Sequence, residues 1–82
     1  MFYRVADLGL MGFLYISGFR HQEVEVDGNR CIFLFPDSHE IRDAQKAYED
    51  GTASVDPQRY YKALRTIRNL TADIKRHDQL SA

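Results

Sequence analysis

Nine consecutive residues, Leu8-Gly9-Leu10-Met11-Gly12-Phe13-Leu14-Tyr15-Ile16, carry no charge, and wound into a helix they place apolar groups at nearly every angle around its axis. Such a helix has no side meant for water, so either the rest of the chain or a partner must cover it. The segment is too short to span a bilayer, which takes about 20 apolar residues. Asp7 before it and the lack of an A-x-A pattern after it also argue against a secretory leader. It reads as a buried helix from about Ala6 to Ser17, closed by Gly18 at the left-handed position that commonly ends a helix. Gly9 and Gly12, three apart, let another backbone come close. Two expectations stay open: full enclosure within the monomer, or an exposed strip at Gly9 and Gly12 that serves a homodimer or another protein partner and is extended by Ile32 and Leu34.

Eighty-two residues, 44% of them apolar, make one small domain near the size at which a single core suffices. Residues 1–82 are read as that domain, with a core over about 3–76 and a C-terminal tail at 77–82. Phe2 to Arg4 is expected to form a short edge strand. His21 to Val26 alternates polar and apolar residues, Asp27-Gly28 signals a hairpin turn, and Arg30 to Phe35 is rich in β-formers. A turn of two or four residues puts Val24, Val26, Cys31, Phe33 and Phe35 on one face and Glu23, Glu25, Ile32 and Leu34 on the other; a three-residue turn changes that. Asp37 and Glu40 have the form of a capping box for a helix over Ser38 to Asp50, which Gly51 ends. Asp56-Pro57 then starts a last helix that runs to about Arg76. The fold class is α+β: helix, β-hairpin, helix, helix (α-β-β-α-α), with the short N-terminal edge strand in front.

On a wheel, Tyr60, Ala63, Leu64, Ile67, Leu70 and Ile74 share one apolar sector of the last helix. The opposite sector carries Tyr61, Lys62, Arg65, Arg68, Asn69 and Arg76, bordered by Arg59 and Lys75, with Asp73 its only acid. Residues 1–56 hold five Lys/Arg and ten Asp/Glu, whereas residues 57–82 hold six and two. A near-neutral total, pI about 6.3, thus conceals a dipolar molecule. A basic face with a tyrosine in it can hold phosphates while the ring stacks on an exposed base. The plainer reading is a solvated face whose counter-charges come from Asp43, Glu49 or Asp50.

Catalytic and metal patterns are weak. His39 and Asp43 lie four apart on one helix side, but H-E-x-x-H requires histidine where Asp43 stands, and no third ligand is evident. His21-Gln22-Glu23 has the H-x-E form of zinc deaminases without the cysteine pair. Cys31, the single cysteine, sits between apolar strand neighbours and reads as a small buried hydrophobe suited to a reducing compartment. Tyr60 is more simply core than nucleophile. No phosphate-cradling glycine loop is visible. The expectation is a non-enzyme without metal or cofactor.

The order Asp7-Leu8 into an apolar helix closing at Ser17-Gly18-Phe19, then Phe33-Leu34-Phe35-x-Asp37-Ser38, Ala47-Tyr48 before Gly51, and Val55-Asp56-Pro57 before Tyr60-Tyr61-x-Ala63-Leu64-Arg65, resembles a family of short bacterial and phage proteins, domain of unknown function 5659. The resemblance covers roughly Tyr3 to Asn69, and the chain departs from the family's pattern at Gly9 and Gly12. It implies a phage or mobile-element setting and brings no catalytic residues with it. The function expected is that of a cytoplasmic, non-membrane accessory protein that binds nucleic acid through Tyr61, Lys62, Arg65, Arg68 and Arg76. The alternative is a protein-interaction module, such as an inhibitor or regulator of a host complex, working through helix 1 and the outer hairpin face.

Overall fold

The computed structural model describes residues 1–81, with side chains through Arg76. In chain order the elements are β1 (Phe2–Val5), α1 (Leu8–Ile16), β2 (Glu23–Asp27), β3 (Arg30–Pro36), α2 (His39–Asp50) and α3 (Pro57–Ser81). The expected α+β order is present, N-terminal strand included. That strand closes an antiparallel sheet of order β1-β3-β2, pairing Phe2 with Pro36 and Val5 with Phe33.

Asp27 pairs with Arg30, so Gly28 and Asn29 alone make the hairpin turn, one residue beyond the Asp27-Gly28 signal. Gly28 takes φ +62°, the left-handed conformation that a tight hairpin turn requires at its first central position. A two-residue turn fixes the register: Val24 faces Phe33 and Val26 faces Cys31, on the side where Phe35, Tyr3 and Val5 also lie. All of these but the half-buried Val26 join Leu10, Met11, Phe13 and Leu14 of α1, Ile41 of α2 and Ile67 of α3 in one apolar core.

Asp7 caps α1, its carboxylate accepting the Gly9 N–H at 3.1 Å. The helix ends at Ser17 and Gly18, the latter at φ +96°. The start of α2 differs from expectation. Ser38, not Asp37, is the N-cap, its hydroxyl accepting the Ile41 N–H at 3.2 Å. Asp37 instead takes the Arg42 guanidinium in a two-pronged pair at 3.0 and 2.9 Å, a stronger use of a carboxylate than one backbone contact. At α3, Asp56 accepts the Arg59 N–H at 2.9 Å, as a cap before Pro57 should. The helix runs past Arg76 to Ser81; the expected tail, 77–82, falls where side chains lie outside the described residues.

Helix α1 packs against both α2 and α3, and its two glycines are where they meet it. A Cβ at Gly9 would collide with the Tyr48 hydroxyl and lie 3.2 Å from that of Tyr60. One at Gly12 would lie 2.8 Å from a Leu64 methyl. Tyr60 also donates its hydroxyl hydrogen to the Gly9 carbonyl at 3.0 Å. The expectation that Gly9 and Gly12 serve a partner or dimer contact is therefore corrected: Tyr48, Tyr60 and Leu64 of the same chain already fill the space they leave. Burial, followed by the neighbouring Tyr60 hydroxyl, pushes the Tyr48 phenol up to about 12, so that ring stays neutral where it meets α1.

Gly9→Ala sets two effects against each other. Alanine gains about 1 kcal/mol of helix propensity, while overpacking costs typically about 1–3 kcal/mol and the Tyr60 hydrogen bond is displaced as well. The clash wins, and thermal unfolding of this variant should show a midpoint several degrees lower; an unchanged or raised midpoint would mean that the tyrosine hydroxyls move aside freely.

Candidate nucleic-acid interface

Helix α3 is set by its inner side. Ala63 and Ile67 are buried, Tyr60, Leu64, Leu70 and Ile74 are half-buried, and the opposite side, Tyr61, Lys62, Arg65, Arg68, Asn69 and Arg76, is exposed. The expected residues thus come together on one outward face. Among the described residues, Arg59, Lys62, Arg65 and Arg68 form no salt bridge; only Arg76 has an acidic partner, Asp73 at 3.7 Å on the same helix. Tyr61 is 61% exposed, with the Arg65 guanidinium 5.9 Å from its ring centre. That leaves the ring able to stack on another flat group.

None of the proposed counter-charges, Asp43, Glu49 or Asp50, forms a salt bridge with this face among the described residues. Asp43 meets His39 at 3.1 Å on α2 itself, and Glu49 accepts from Gln45 at 2.7 Å. On the outer sheet face Arg4 reaches across β3 to Glu25 at 3.2 Å, linking the two edge strands. This pair passes over the row that holds Leu34 and Ile32. Leu34 is only 4% exposed and Ile32 half-buried, so neither offers the bare apolar surface expected of a partner contact.

Two further arginines reach the basic face from other elements. A groove of about 430 Å³ between the end of α1 and the first half of α3 is lined by Arg20, Arg59 and Lys62. A second, of about 220 Å³, lies beside the hairpin turn and brings Arg30 next to Arg68 and Lys75 over a floor that includes Met11 and Cys31. Between them Lys62, Arg65, Thr66 and Asn69 form an open strip. No spacing in the sequence points to Arg20 or Arg30, since both arrive through tertiary packing.

Arg20 also bears on its neighbour. His21 stands edge-on to Phe33 with ring centres 5.0 Å apart. Burial, and then the charge of Arg20, hold its imidazole below the ordinary value. Among the described residues no group of three His, Cys, Asp or Glu side chains could hold a metal ion, and no helix is long and apolar enough to cross a membrane.

The fold and this face define a small α+β domain with a basic helical surface. By sequence it belongs to the family described as domain of unknown function (DUF5659), whose model matches residues 1–73. No curated protein matches the chain, and no solved structure does.

The lowered His21 value has a stability consequence. The unfolded chain takes up this proton more readily than the folded one, so the stabilisation is fully present above about pH 6.5 and is lost as the pH falls from there through the lower folded value. Thermal midpoints measured from pH 7.5 down to 5 should fall, and His21→Phe, which keeps the edge packing, should flatten the fall; an identical pH profile in the variant would refute the assignment.

Proposed function

We propose that this protein is a non-enzymatic accessory protein, of a phage or mobile element, that binds nucleic acid through the outward face of α3. Lys62, Arg65 and Arg68 serve the phosphates, with Arg76 at the far end, and Tyr61 stacks on an unpaired base. The observation that carries the reading is that Arg59, Lys62, Arg65 and Arg68 stand exposed without a carboxylate partner among the described residues. Cations on a merely solvated face could be neutralised locally at little cost, as Arg4 and Arg42 are. Here Glu25, Asp37 and Asp43 pair with Arg4, Arg42 and His39, and none of the acids pairs with Arg59, Lys62, Arg65 or Arg68 among the described residues.

Counter-ion release makes the reading measurable. Four phosphate contacts give a slope of about −3.6 in log K against log salt on duplex DNA, or about −2.8 on a single strand. The double variant Arg65→Glu with Arg68→Glu should lose retention on immobilised single- or double-stranded nucleic acid at low salt and keep its circular dichroism and thermal midpoint, because neither side chain packs in the core. Native protein that passes through such a column unretained at low salt would end the proposal.

A further inference from the structure

We propose that the groove between the C-terminal end of α1 and the first half of α3 is a site for a phosphate monoester, held by Arg20, Arg59 and Lys62. Arg20 is already fixed in place. Its Nη1 donates to the carbonyls of Tyr15 at 2.9 Å and Phe19 at 2.8 Å, and its guanidinium lies 4.0 Å over the Tyr15 ring. These contacts use one nitrogen. The Nε and Nη2 edge, the side that offers two parallel N–H groups to two oxygens, has no hydrogen-bond partner among the described residues.

Arg59 and Lys62 face the same groove from α3, one turn apart, and neither is in a salt bridge among the described residues. Among the described residues no carboxylate lines the groove. Asp56 borders a separate hollow that Arg59 also lines, and accepts the Arg59 backbone N–H. Ile16 and Ala63 contribute apolar wall, which reduces the screening of the three charges. At the mouth, Gly18 has nothing within 4 Å of where a Cβ would stand, so the entrance is open.

Three cations match the charge of a phosphate monoester, roughly −1.5 to −2, better than the single charge of a backbone diester. A strand lying along α3 would place its terminal phosphate here, an assignment of source that rests on the nucleic-acid reading above. A free phosphorylated small molecule offers the same chemistry.

The test uses the full chain and two oligothymidines of one length, one with a 5′-phosphate and one with a 5′-hydroxyl, followed by fluorescence anisotropy. Inorganic phosphate is titrated separately while the Arg20 Nε–H resonance is followed by NMR. The site predicts about tenfold tighter binding of the phosphorylated strand, loss of that preference in Arg59→Gln with Lys62→Gln, and a saturable shift of Arg20 Nε–H. Arg20→Lys, which keeps the charge and loses the fork, should reduce the preference with the fold intact. A saturable phosphate shift abolished by Arg59→Gln with Lys62→Gln, without any strand binding, would keep the site, assign it to a free phosphorylated ligand and overturn the nucleic-acid reading. Equal affinity for both strands, still lost on reversing Arg65 and Arg68, with Arg20 unmoved by phosphate, would overturn the site and leave that reading standing.

Discussion

A helix that is apolar on every side must be covered on every side, and the rest of this structure follows from how α1 is covered. The inner face of the sheet contributes Cys31, Phe33 and Phe35 to the core that holds it. On its other flanks Gly9 and Gly12 remove the side chains that would keep neighbours away, and Tyr48, Tyr60 and Leu64 move in. The Tyr60 hydroxyl is satisfied by the Gly9 carbonyl in the same contact, so a polar group at the packing surface is not left without a partner. With α3 anchored through Tyr60, Ala63, Leu64 and Ile67, the rotation of the helix is settled. Its basic sector can only face outward.

Why that sector stays charged is a matter of where the acids are held. Helix α1 lies against both other helices, and the α2 carboxylates with described partners turn to His39 and Gln45 of their own helix. Asp37 is taken by Arg42, and Glu25 by Arg4 across the sheet. Exposed pairs of this kind contribute little to stability, typically under about 1 kcal/mol each. Their effect is on the surface field: Glu25, Asp37 and Asp43 are engaged away from α3, and among the described residues only Arg76 of its basic sector meets a carboxylate, so positive charge stays gathered on one face.

Much of this was legible in the residues. Period-two alternation and Asp27-Gly28 located the hairpin, and a two-residue turn was enough to put Val24, Val26, Cys31, Phe33 and Phe35 on one face, the one that meets the core. The 3.6-residue period of α3 separated Ala63 and Ile67 from Lys62, Arg65 and Arg68 without error, because one buried stripe on a long helix is a strong signal. Helix α1 resisted the same treatment: with no polar side there is no stripe to orient it, and whether its glycines faced a sister chain or its own tyrosines depended on contacts 39 and 51 residues away in the sequence. Leu34 shows the limit in another form. Alternation placed it correctly on the outer face, yet it is buried there between two strands that are not sequence neighbours, with Arg4 on one side and Glu23 on the other. Arg20 and Arg30 reach the basic face in the same non-local way, and Ser38 took the cap from Asp37 because Arg42 offered that carboxylate a better partner.

The claim at the centre of this account is that packing against α1 turns one cationic face of α3 outward as the binding surface. Amide and side-chain chemical shifts of the full chain, mapped by NMR with and without a saturating oligonucleotide, test it most directly. The account predicts perturbations along Lys62, Arg65, Thr66, Arg68 and Asn69 with β2 and α2 unmoved. Shifts centred on Glu23–Asp27 or on α2, or none anywhere, would contradict it.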